Sequence, residues 1–330
     1  MKNWIKGLIG TDGAAAKGAP APAPAGPAAD APDYRAETEA AFYRWLTASN
    51  GYDAPSEVER RILDLVTRLA GQPGEAANLV PRVPEAIPRI LASLGDEDAS
   101  VGELSRQVAE DVVLVAEVIR EANSAYYRPI SPVKNVEAAI MMLGQNGLRM
   151  LLARIAFRPL IRLQGEGFAR QAAPPLWNQS VGCALAASLM APGLSTGVFE
   201  SYLAGLMQNV GLMVALRLSD RVCEAHQTGG KVPGSREFGA ALFAASRALS
   251  GAIADYWAFP PEVGRAIAAA AAPGDIADSQ LAQALALGDR IAKLRILIDA
   301  RVLQEDDALV ADGLDAFQRR CLGKLANIDA

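Results

Sequence analysis

Residues 203–213 read Leu-Ala-Gly-Leu-Met-Gln-Asn-Val-Gly-Leu-Met, an apolar, helix-like run with two adjacent amides, Gln208 and Asn209, at its middle. A stretch this apolar has to be buried. Amides carried into such an interior without partners cost free energy, so the two must either reach a site or satisfy each other. The run therefore demands a fold in which a helix is enclosed by others, with a small polar centre inside.

The rest of the chain can supply that enclosure. Its 330 residues are 51% hydrophobic but only 6% aromatic, with Ala, Leu and Val dominant, a composition that favours close-packed helices over sheets. The expected class is all-α, an irregular multi-helix bundle with a sizeable core. A net charge of -5 provides no global basic field, which disfavours nucleic acid as a partner. Cys183, Cys223 and Cys321 are odd in number and lack CxxC spacing, which argues against a disulfide framework or structural zinc and fits a reducing cytoplasm. Polar residues break every apolar stretch before the roughly 18 to 20 residues that a membrane span requires.

Along the chain, residues 1–10 place Trp4, Ile5, Leu8 and Ile9 opposite Lys2 and Lys6, a short amphipathic start suited to weak contact with a membrane surface or a partner groove. The Ala/Pro-rich segment 14–32 cannot bury enough apolar surface to order itself and reads as a disordered tether. Phe42, Trp45 and Leu46 share one helical face. A second helix is expected from Ser56, with Glu59 three residues on as a capping box, Ile62, Leu63, Val66 and Leu69 as its stripe, and Gly-Gln-Pro-Gly at 71–74 as its stop. Further stripes follow at 83–94, 101–108 and 112–119, the middle one capped by Ser100 and Glu103. Asn135 is the expected N-cap for a helix ended by Gly144. Late stripes at 281–298 and 317–325 close the chain.

Two charged features have competing readings. His226, the sole histidine, lies three residues after Cys223. It reads either as half of a two-ligand metal site or as a helix C-terminal histidine before Gly229 and Gly230, and the second is simpler. Arg149, Arg154, Arg158 and Arg162 form the densest positive stretch, with 154, 158 and 162 at one-face spacing and Pro159 expected to bend the helix. They read as a phosphate, nucleotide or acidic-partner contact, or as a solvated face.

Three arrangements occur in fixed order: Ala122-Asn123-Ser124-Ala125, then Ala138-Ala139-Ile140-Met141-Met142-Leu143-Gly144, then Leu176-Trp177-Asn178-Gln179-Ser180 ahead of the Gln208-Asn209 run. Together they resemble the HDOD domain, a bacterial signalling module related to the HD-type metal hydrolases. The resemblance covers roughly residues 83–287, and with the patterning of the flanks it gives a tether at 1–32, a helical hairpin at 33–79, an HDOD-like domain at 80–287 and a C-terminal helical extension at 288–330. In the HD superfamily one histidine, a His-Asp pair and a later aspartate hold a metal that activates water for phosphate-ester hydrolysis. The resemblance puts Gln179 at the first histidine and Gln208 with Asn209 at the dyad. It puts Arg247 at a further histidine, ahead of Gly251, Trp257 and Pro260, and Ala270 with Ala271 at a His-His pair. Asp289 matches a family aspartate, although read alone it is an exposed helix residue in an ion pair.

These departures point one way. Gln and Asn amides can pair with each other at no charge cost, so the resemblance implies a vestigial, neutral pocket of Gln179, Gln208, Asn209, Arg247 and Asp289, with no catalytic residue, metal or cofactor. The expected function is non-enzymatic and regulatory. A cytoplasmic protein would act on a protein partner of a signalling pathway, in cyclic-di-nucleotide or stress signalling. The alternatives are a residual metal-dependent phosphohydrolase or phosphodiesterase, and a nucleotide-binding module that uses the arginines from 149 to 162.

Overall fold

The computed structural model describes residues 33–47, 51–80, 101–109, 112–123, 129–161, 167–271 and 276–326. The amphipathic start with Trp4, Ile5 and Leu8, the 14–32 tether, the 83–94 stripe, Ser100 and Arg162 lie outside the described residues. From Tyr34 onward the chain is one compact unit. Among the described residues it is helical apart from loops, turns and two residue pairs, β1 (Gly51–Tyr52) and β2 (Val232–Pro233), which run parallel.

Two helices open the unit: α1 (Tyr34–Thr47) and α2 (Ser56–Ala70). Val58, Ile62, Val66 and Leu69 recur at helical spacing and are buried, so α2 faces the core with one stripe. Its start differs from the expected capping box. Pro55 is the N-cap and Ser56 is already helical, so the Ser56 side chain makes no cap. Glu59 is thereby released to accept from Ser235 Oγ at 2.9 Å, which ties α2 to another helix. Gly71 does end α2, but Pro73, pre-set for a first helical turn, starts the short α3 (Pro73–Leu79) at once.

Next come α4 (Val101–Ala109), α5 (Val112–Ala122) and α6 (Val136–Ile161). Asn123, at the end of α5, is tied to Val133. Its Nδ2 donates to Val133 O, and its Oδ1 accepts from Val133 N, both at 2.8 Å. Asn135 Oδ1 accepts from Ala138 N at 2.8 Å and so caps α6. Gly144, at φ 68° and ψ 173°, divides α6 into two helices at a bend that a residue with a Cβ would resist. The second half runs on past Pro159 to Ile161.

The core is built around α7 (Phe168–Met190), whose residues from Gln179 to Ser188 are all buried. Asp220 caps its start by accepting from Phe168 N at 3.0 Å and Ala169 N at 2.9 Å. Packed about it are α8 (Val198–Met207), α9 (Val210–Ala225), α10 (Arg236–Tyr256), α11 (Pro261–Ala269) and α12 (Gln280–Asp299). Ser279 caps α12, and two closing helices, α13 (Ala308–Ala311) and α14 (Ala316–Leu325), follow, the latter with an Asp315–Gln318 capping box. No helix among the described residues is long and apolar enough to cross a membrane.

Candidate functional site: a buried carboxylate ringed by amides and cations

The amide pair of the apolar run falls where the helix breaks. Gln208 ends α8 and Asn209 starts α9, so their side chains leave the backbone at a junction between the two helices. One hydroxyl mends the interrupted backbone: Ser250 Oγ of α10 donates to Gln208 O at 2.7 Å and accepts from Gly211 N at 2.8 Å.

From this junction a continuous network runs inward. Asn209 Nδ2 donates to Ser180 Oγ at 2.9 Å and to Gln179 Oε1. Gln179 Nε2 then donates to Asp289 Oδ1 at 2.7 Å, and Gln208 Nε2 reaches the same oxygen at 3.0 Å. Asp289 Oδ2 faces the cations, with Lys293 Nζ at 2.7 Å and Arg247 Nη2 at 3.0 Å. Glu39 of α1 completes a ring of four charges by accepting from Arg247 and standing 3.7 Å from Lys293 Nζ. Arg35, one turn earlier on α1, is 3.5 Å from Glu39 and donates to Ala270 O at 2.6 Å.

The structure thus brings Gln179, Gln208, Asn209, Arg247 and Asp289 together, but not as an uncharged pocket. It corrects the view of Asp289 as an exposed helix residue: Asp289 is only 4% exposed, because its face of α12 packs onto α7. Glu39, Lys293 and Ser180 complete the site. The sequence signal for Lys293 was a lone lysine four residues after Asp289 in an apolar stretch, the spacing of one helical turn. Glu39 carried no local signal. Ala270 lies beside the site only through its carbonyl, and Ala271 makes no contact in the network.

The ring fixes the protonation states. Burial, the largest single effect on Asp289, acts to raise its pKa, but Lys293 and Arg247 outweigh it and hold the carboxyl below its usual range. Glu39 feels the same opposition between burial and the cations Arg247, Lys293 and Arg35, and its pKa falls to about 2. Arg247 is raised, its burial more than offset by Glu39 and Asp289. Burial pushes the neighbouring Cys183 thiol well up, so it is not an available nucleophile near neutrality.

A divalent metal does not fit these residues. Metal ligation needs lone pairs converging on one point. Here the central carboxylate spends one oxygen on two amide N–H donors and the other on two cations, and Gln179 Oε1 is taken by Asn209. Among the described residues no group of three or more His, Cys, Asp or Glu side chains could hold a metal ion. His226 is an exposed residue at the C-terminal cap of α9, its Nδ1 2.8 Å from Val222 O, while Cys223 is buried.

The arginine stretch is not a continuous solvated face. Arg149 is buried and Arg154 pairs with Glu121, because the second half of α6 packs against α5 and α8; Arg158 is exposed.

The fold is a helical bundle with a polar centre at the α8–α9 junction, fed by α7, α10 and α12. The sequence pattern of the HDOD domain matches residues 80–273, and the chain belongs to that family. An HDOD domain protein of unknown function from Geobacter sulfurreducens superposes with a TM-score of 0.55 at 23% identity, over 79% of this chain and 94% of that one. A protein from Shewanella amazonensis SB2B, provisionally described as a metal-dependent phosphohydrolase, gives 0.54 at 19% identity, over 82% and 98%. A provisionally described signal transduction protein from Marinobacter aquaeolei VT8 gives 0.51 at 20% identity, over 84% and 65%. At these identities the likeness concerns the fold. An uncharacterized protein of Treponema pallidum (strain Nichols) is 25% identical over 150 residues, 45% of this chain but only 28% of that protein's length.

Proposed function

We propose that this HDOD protein is a non-enzymatic regulator in bacterial signalling that acts by binding a protein partner, with its former metal site converted into internal support. The observation that carries this reading is the occupancy of Asp289. Both of its oxygens are engaged by Gln179, Gln208, Arg247 and Lys293, which leaves no lone pair to bind or activate a water-bearing cation. Family membership and the description of the Marinobacter aquaeolei relative support the signalling context.

The test has two arms. Purified protein is incubated with bis(p-nitrophenyl) phosphate and Mn2+ or Mg2+, and release of nitrophenolate is expected to match the protein-free control. A candidate partner captured with the full chain is then purified and titrated against it, and saturable binding at a fixed stoichiometry is expected. Stoichiometric metal accompanied by turnover would overturn the proposal.

A further inference from the structure

The place vacated by metal chemistry is not empty of positive charge. We infer that the Lys293 ammonium, seconded by the Arg247 guanidinium, stands where a divalent cation would otherwise be required, and that this resident cation fastens α1 to the bundle through Glu39. The inference rests on the non-catalytic reading of the site and deepens it by naming what took the metal's electrostatic role.

Three observations carry it. Lys293 and Arg247 together supply two unit charges at one carboxylate oxygen, Asp289 Oδ2, at 2.7 and 3.0 Å, which is the formal charge of a divalent ion delivered by two side chains. Lys293 is 2% exposed, and its ammonium rests on aromatic faces, 4.6 Å from the Phe243 centroid and 5.7 Å from that of Phe42. This dry shelf favours an ammonium over a hydrated metal. Finally, two cations against Asp289 alone would leave a buried excess of positive charge. The carboxylate that answers the second buried cation, Glu39, comes from α1, whose own Arg35 pairs with Glu39 and is the most exposed of the three cations, so compensation of Arg247 and Lys293 inside the bundle requires α1 to be seated.

Melting curves of the whole chain test this. Wild type should melt at the same temperature with EDTA, Mg2+ or Mn2+. Lys293→Ala leaves Asp289 with Arg247 as its one cation, an Arg247 that it must share with Glu39, and opens a space beside them. It should melt roughly 5–15 °C lower, and millimolar Mn2+ should recover several of those degrees. The charge-balanced pair Glu39→Gln with Lys293→Met should melt above either single variant, and this comparison remains decisive if Lys293→Ala does not fold. A wild type stabilised by Mn2+, a Lys293→Ala protein indifferent to Mn2+, or a pair no better than its singles would each overturn the inference. Hydrolysis of the phosphodiester by wild type would instead overturn the functional reading, whatever the melting curves show.

Discussion

Asp289 is satisfied by two amides on one oxygen and two cations on the other, and its neighbour in the charge ring, Glu39, is held by Arg247 and Lys293. Both carboxyls have folded-state pKa values below their ordinary ones, Glu39 at about 2 against 4.5. A depressed carboxyl stabilises the fold above its unfolded pKa, and that stability is lost as pH falls toward the folded value. The window for Glu39 therefore lies between about pH 5 and pH 2, and the shift corresponds to roughly 3 kcal/mol. Stability measured by urea titration should fall across this window, and Glu39→Gln should flatten the fall while lowering stability at pH 7. A variant whose acid profile overlays wild type would show that Glu39 does not contribute in this way. The residues of this centre were unequally legible. The resemblance located Gln179, Gln208, Asn209, Arg247 and Asp289 because each occupies a place in a family pattern. Glu39 lay beyond reach because its partners are far away in sequence and no periodicity links a residue of α1 to residues of α10 and α12.

Helix boundaries were readable where a stripe or a cap determines them. The α2 stripe, the Asn135 cap and the Gly144 bend all follow from local chemistry. The Ser56–Glu59 cap failed because Pro55 took the N-cap position and Glu59 found a tertiary partner in Ser235, which no local rule anticipates. Close approach between helices is a second tertiary property, and it depends here on glycine. A Cβ at Gly288 of α12 would lie 2.7 Å from Ala187 N and 2.8 Å from Cys183 O on α7, so the lack of a side chain is what lets Asp289 come within reach of Gln179. Gly288→Ala should force α12 outward and lower the melting temperature by roughly 3–10 °C, as overpacking of a tight interface does. Gly323 of α14 provides the contrast, since a Cβ there meets nothing within 4 Å. Gly323→Ala should leave melting unchanged or raise it slightly, through helix propensity alone. Equal effects at the two positions would remove the argument from close approach.

The molecule as a whole depends on its first described helix being seated. Phe42 and Tyr43 of α1 are buried against α10, with Tyr43 edge-on to Phe243 at 5.7 Å, and the Tyr43 hydroxyl donates to Pro233 O at 2.6 Å. Truncation of a buried aromatic costs about 3–5 kcal/mol, so two such residues together rival the 5–15 kcal/mol that separates a typical native state from its unfolded ensemble. Removal of α1 would also take Glu39 from the charge ring and leave Arg247 and Lys293 sharing Asp289 alone. A chain begun at Gly51 should therefore lose its cooperative calorimetric transition. A peptide of residues 34–47 added in trans should restore a transition whose midpoint rises with peptide concentration, since a ligand that binds only the folded state stabilises it by mass action. The same peptide with Glu39→Gln should act only at higher concentration, and a peptide in which Phe42 and Tyr43 are alanine should not act. If the shortened chain melts like the full one, α1 is an ornament on an independent bundle, and the coupling of the Asp289 charge ring to the N-terminal helix is lost with it.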